Sequence, residues 1–176
     1  MKKTLFFLAI SFALHTAAKA QQIDEDKQLG FGFGFEGGVV MGDFKPAHKV
    51  GTGVGLRVSY LLGPGFATLS TGGIILFPRK GDGSLDPHVG VWAPIKAGYK
   101  FIIADNFFVM GEAGYSLLRY YFEDGYGLAQ TTHGGFVYAP TVGVQFGIVE
   151  AGLRYQAATI KGTKLSMALF RLGFNL

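Results

Sequence analysis

The sequence predicts an all-β fold: an eight-stranded antiparallel up-and-down transmembrane β-barrel that follows an N-terminal signal peptide. Three observations carry this expectation. Eight stretches alternate apolar residues with small or polar ones, the period of a strand whose two faces meet different surroundings. The last nine residues place Ala168, Phe170, Leu172, Phe174 and Leu176 on one side and Leu169, Arg171, Gly173 and Asn175 on the other. So apolar an outer face is an aggregation hazard in water but suits a lipid surface. The connections between stretches also alternate short and long, as in barrels that have turns on one side of a bilayer and loops on the other.

The chain opens with a secretory pattern. Lys2 and Lys3 form a basic start, Leu5 to Leu14 is apolar except for Ser11, and Ala18-Lys19-Ala20 offers small residues for cleavage before Gln21. The apolar run of about ten residues is too short for a spanning helix, which needs roughly 20. The expected organisation is therefore a cleaved leader at 1–20 and one barrel domain at 21–176. Loss of Lys2, Lys3 and Lys19 takes the formal charge from +4 to +1, so nucleic acid is not an expected partner. There is no cysteine, which excludes disulfides, thiolate metal sites and thiol chemistry. With 28 Gly, 17 Phe and 8 Tyr and few charges, the composition favours β structure over disorder.

The first segment, about 29–42, sets Phe31, Phe33 and Phe35 against Gly32, Gly34 and Glu36. A second, about 51–62, sets Leu56, Val58 and Tyr60 against Gly55, Arg57 and Ser59. In the third, about 66–78, Ala67, Leu69, Ile75 and Phe77 oppose Thr68, Ser70 and Gly72, although Ile74-Ile75-Leu76 blurs the alternation. The fourth, about 88–101, has Val89, Val91, Ala93, Ile95, Ala97, Tyr99 and Phe101 opposite Gly90, Trp92, Lys96, Gly98 and Lys100. The fifth, about 107–121, opposes Val109, Ala113, Tyr115 and Leu117 to Glu112, Gly114 and Ser116. The sixth, about 136–147, turns Val142, Val144 and Phe146 away from Thr141, Gly143 and Gln145. The seventh, about 149–157, does the same with Val149, Ala151, Leu153 and Tyr155 against Glu150, Gly152, Arg154 and Gln156, and the terminal strand completes the set.

Short connections are expected at Gly63-Pro64-Gly65, Asp105-Asn106 and Gly147-Ile148, and longer polar ones near 43–50, 79–87, 122–135 and 158–164. That parity places Tyr60, Tyr99, Phe101, Phe107, Phe146 and Phe174 at the turn rim and Phe77, Tyr121, Tyr138 and Tyr155 at the loop rim, as two aromatic belts. A secreted lipocalin-like barrel is the soluble alternative, but its lumen is the greasy side. Here the face opposite the Phe and Tyr rings carries Gly, Ser, Thr and charges.

The leader, the eight alternating strands and the ending Phe170-Arg171-Leu172-Gly173-Phe174-Asn175-Leu176 resemble the small outer-membrane β-barrel proteins of Gram-negative bacteria. The resemblance covers the mature chain and speaks to fold and location rather than to an activity. It implies residence in the cell outer membrane, contact with outer-membrane lipid and lipopolysaccharide, and insertion by the barrel-assembly machinery. Leu176 stands where many relatives end in Phe or Trp.

The inward face brings together Glu36, Glu112 and Glu150 with Arg57, Lys96, Lys100, Arg154 and Arg171. An eight-stranded lumen is only wide enough for side chains to fill, and charges there must be paired. The expected network pairs strand neighbours: Glu36 with Arg57 and Arg171, Glu112 with Lys96 or Lys100, and Glu150 with Arg154 or Arg171. Such a plug suits a structural or interaction role, in envelope integrity, adhesion or as a scaffold for an extracellular or envelope protein partner. The alternatives are a small-solute or hydrophobic-compound channel and, more remotely, a lipid A-modifying enzyme. Acyl transfer needs an activated Ser, and His48, His88 and His133 all fall in or beside the loops, where solvated histidines are the expectation. No catalytic residue, cofactor or metal site is expected. Lys45, Lys49, Arg79, Lys80, Arg119, Lys161 and Lys164 map to the loop end and are candidates for lipopolysaccharide phosphates, with Arg119 on the lipid-facing parity.

Overall fold

The structure, a computed structural model, describes residues 28–79, 89–104, 106–124 and 127–176, with the side chains of 121–124 and 127–130 left aside. The leader at 1–20, Lys80, His88 and Asp105 lie outside the described residues, as does the side chain of Tyr121.

Eight strands follow one another: β1 (Leu29–Gly42), β2 (His48–Leu62), β3 (Gly65–Pro78), β4 (Gly90–Ala104), β5 (Phe107–Asp124), β6 (Gly127–Phe146), β7 (Val149–Ile160) and β8 (Thr163–Asn175). Each pairs antiparallel with the next, and β8 returns to β1, so the sheet is closed and has no free edge. The closing seam runs from Gly32 opposite Asn175 to Gly42 opposite Leu165 and sets Glu36 directly against Arg171. β1 begins and β8 ends at the same end of the barrel as the β2–β3, β4–β5 and β6–β7 turns, here named the turn end.

Alternation sorts the side chains as the sequence implies. Leu153, Leu56 and Ile95 are 64%, 63% and 62% exposed on the outer wall, while Arg57, Glu112 and Glu150 point into the lumen at 3%, 4% and 0%. A soluble barrel would reverse these values. Glycine is required where backbones or side chains crowd: a Cβ on Gly34 would lie 3.0 Å from the Arg171 guanidinium and 2.9 Å from the Leu172 carbonyl oxygen.

The connections depart from expectation. The segment 158–164 is not a long loop, because Lys161 (φ 49°) and Gly162 (φ 80°) make a two-residue turn between β7 and β8. Positive φ at both central positions is the hairpin geometry that matches strand twist, and Lys-Gly is a weak signal for it. Most of 122–135 is strand as well. Tyr121 to Asp124 pair with Gly127 to Gln130, above the last β4 partner at Tyr120 and the last β7 partner at Gly135. This ribbon has no wall to bury a face against, so it carries no apolar alternation to mark it as strand. β8 likewise starts at Thr163, five residues before the predicted strand; in its first part the apolar residues Leu165, Met167 and Leu169 face the lumen, so the apolar parity is the reverse of that at the strand's end.

Nor are the aromatics confined to two rims. Tyr60, Phe107 and Phe146 do stand exposed at the turn end, but Phe35 and Phe170, 56% and 54% exposed, sit at mid-strand.

Candidate functional site

The lumen is built in two layers. In the layer nearer the turn end, eight charged side chains converge, none more than 7% exposed. Their pairing crosses the lumen more than it follows neighbouring strands. Arg57 on β2 does not turn to Glu36; its fork donates to Glu150 on β7 at 2.7 and 3.2 Å. Lys100 on β4 reaches Glu150 at 2.6 Å rather than Glu112. Arg154 on β7 bypasses Glu150 and bridges Glu36 at 2.6 Å and Glu112 at 2.8 Å. The neighbour contacts that do form are Arg171 with Glu36 at 2.6 Å, Arg171 with Glu150 at 3.5 Å, and Lys96 with Glu112 at 3.9 Å. Arginine and lysine stems are long compared with a lumen this narrow, so the opposite wall is as close as the next strand. Polar neighbours complete the layer: Ser70 donates to Glu112 at 2.6 Å, Lys96 to Gln156 at 2.6 Å, and Arg154 to Thr141 at 3.0 Å.

Toward the loop end the lumen changes character. Val40, Ile74, Leu76, Trp92, Leu118, Val137, Ala158, Ile160, Leu165, Met167 and Leu169 form one buried cluster, with Phe44 and Tyr120 packed on it. Phe44 leaves the wall with the β1–β2 connection and lies parallel to Tyr120, ring centroids 6.3 Å apart at 8°. His48, expected as a solvated loop histidine, is instead 3% exposed and 5.8 Å from the Tyr120 ring. An inward face of small residues and charges alone is therefore a partial description. The signals that could have shown the rest were Ile74 and Leu76 in the blurred third segment and Trp92 on the inward parity of the fourth.

At the turn end, Lys100 lies 4.3 Å over the Phe108 ring, beside a recess of about 180 Å³ lined by Ser59, Gln145 and Asn175. Among the described residues, no group of three or more His, Asp or Glu side chains is placed to hold a metal ion.

The loop end gathers the described cations outside the lumen. Lys45, Lys49, Arg79, Arg119, Lys161 and Lys164 are all exposed. Asp43 ties two of the segments together: its N–H donates to the Lys164 carbonyl at 3.1 Å, and its carboxylate accepts the Lys164 N–H at 2.8 Å. The Arg79 N–H donates to the Ala47 carbonyl at 2.9 Å, bringing a third segment beside them. Arg119 lies on the outer wall and donates to Thr132 at 3.3 Å.

A closed eight-stranded barrel with an apolar outside and a filled, charge-bearing inside is the architecture of the small outer-membrane barrels, and the fold of this chain is of that class. No family model matches the sequence, and no curated protein matches it. Solved structures do match in fold. The attachment invasion locus protein Ail of Yersinia pestis, in complex with the heparin analogue sucrose octasulfate, superposes with a TM-score of 0.63 at 16% identity, over 84% of this chain and 97% of Ail. The N-terminal β-barrel domain of Pseudomonas aeruginosa OprF gives 0.60 at 13% identity, over 85% and 98%. Ail in a phospholipid bilayer nanodisc gives 0.58 at 16% identity, over 84% and 98%.

Proposed function

We propose that this protein is an integral barrel of the bacterial outer membrane that serves as a closed scaffold rather than a channel or an enzyme. In this reading residues 1–20 are a leader removed on export, the barrel-assembly machinery inserts the remainder, and the loop end faces outward. The observation that carries the proposal is the inversion of polarity, with apolar chains outside and eight charged chains buried within. Only a surrounding of lipid makes that arrangement favourable over its reverse. The filled lumen supports the closed state, since ion pairs block one half and a packed apolar cluster the other.

The role then belongs to the loop end. Lys45, Lys49, Arg79, Lys161 and Lys164 form an exposed cationic rim on three tethered segments, and Arg119 extends that set; Lys80 follows Arg79 in the sequence and lies outside the described residues. Cations so placed suit phosphate groups of lipopolysaccharide or a polyanionic partner surface. That Ail was solved with a heparin analogue bound supports the same chemistry for this rim. The location is tested by fractionation followed by heat-modifiable gel migration. The protein is expected in the outer-membrane fraction with a mobility that changes on boiling, and recovery as a soluble periplasmic protein would refute the proposal.

A further inference from the structure

We propose that the ion-pair layer of the lumen holds a monovalent anion of halide size, bound between Lys96, Arg154 and Arg171. The first ground is charge. The buried layer contains five cations, Arg57, Lys96, Lys100, Arg154 and Arg171, against three carboxylates, Glu36, Glu112 and Glu150. A surplus of two positive charges away from water carries a large desolvation cost unless something offsets it. Loss of protons does not remove it. Arginine stays protonated in proteins, and Lys100 is engaged with Glu150 at 2.6 Å. A neutral Lys96 would still leave one cation over.

The second ground is a shortage of acceptors. Lys96 Nζ makes one good bond, to Gln156 Oε1 at 2.6 Å, and stands 3.9 Å from Glu112. Arg171, at the proposed site, has an Nε that approaches Glu150 only to 3.5 Å, and elsewhere in the layer Gln156 Nε2 and Arg57 Nε are buried donors with no hydrogen-bond partner in the protein. Such orphan donors are rare in folded proteins and each costs free energy. The third ground is space. A void of about 10 Å³ is lined by Ser70, Lys96, Arg154 and Arg171, with Glu36 as its only carboxylate. That is room for one water-sized species. A water would supply acceptors but no charge, whereas a chloride supplies both. The inference rests on the lumen and stands whatever the loop end binds.

The test uses the full mature chain folded in detergent micelles. The thermal midpoint of the mobility shift is measured in sodium chloride, sodium bromide and sodium gluconate at equal ionic strength, gluconate being too large for the void. Linkage predicts a midpoint several degrees higher in both halides than in gluconate, rising with halide concentration. Lys96→Met keeps the stem, removes one cation and should abolish the difference. Crystals grown in bromide should show an anomalous peak beside Lys96, Arg154 and Arg171, and this arm decides alone should Lys96→Met fail to fold. The proposal is overturned by equal midpoints in all three salts, by a halide effect that survives Lys96→Met, or by a bromide map with no peak at that position.

Discussion

Glu150→Gln is the sharpest perturbation of the lumen. The Glu150 side chain is fully buried and takes the fork of Arg57 at 2.7 and 3.2 Å, the ammonium of Lys100 at 2.6 Å and the amide of Asn175 at 3.4 Å. The amide has nearly the same shape, so packing is retained and the change is electrostatic. One of its two terminal atoms becomes a donor facing other donors, and the layer goes from three carboxylates against five cations to two. Breaking a buried ion pair from one side costs about 3–5 kcal/mol, and the three charged partners here, Arg57, Lys100 and the more distant Arg171, put the expectation at the upper part of that range. A loss of about 4 kcal/mol is roughly a thousandfold in the folding constant. Equilibrium urea unfolding in micelles, followed by Trp92 fluorescence and by gel mobility, measures it directly. Arg57→Met in the Glu150→Gln background should cost much less than Arg57→Met alone, because the partner charge is already gone. A loss under about 1 kcal/mol for Glu150→Gln, below what a buried pair should cost, would refute the claim that the lumen is held by its ion pairs.

Leu153→Arg places a charge at the more exposed of the two large hydrophobics on the outer face of β7, Leu153 and Val149. It should destabilise the inserted barrel by about 2–4 kcal/mol, as for arginine on a lipid face near the midplane, while a soluble barrel would tolerate it; folding yield into vesicles is the measurement. Trp92, the sole tryptophan, is fully buried in the lumen. Its emission should be blue-shifted and resist both aqueous iodide and spin-labelled lipid, and strong quenching by the lipid probe would place it on the wrong face. Joint substitution of Lys45, Lys49, Lys161 and Lys164 by Gln should lower retention of lipopolysaccharide on the purified protein, most visibly at low salt, without changing the unfolding midpoint by more than exposed substitutions usually do.

Strand number, parity and the sorting of charges inward were legible because lipid and lumen impose opposite demands on alternate residues. Phe31, Phe33 and Phe35 against Glu36 state the inside and the outside within six residues. Legibility failed wherever the two faces meet similar surroundings. Around Ile74-Ile75-Leu76 both lumen and lipid are apolar, so the period of two fades, and at the start of β8 the apolar residues Leu165, Met167 and Leu169 turn inward, reversing the parity of the strand's end, so the loop-end cluster went unseen. In the ribbon of 121–124 paired with 127–130 no wall stands behind either strand, and the segment reads as a loop. The ion-pair set was readable as a set but not as pairs: Arg57 and Arg154 choose partners across the lumen, and sequence neighbourhood carries no information about lumen width. His48 and Phe44 needed the path of the β1–β2 connection, which no periodicity encodes.

A barrel that spans lipid and is closed by its own side chains passes no ions. Single-channel recording of the purified protein in planar bilayers tests it most directly. With insertion verified by protease protection and heat-modifiable mobility, the membrane current is predicted to stay at baseline over the whole voltage range. A steady, reproducible unitary conductance would show an open lumen and contradict the closed barrel.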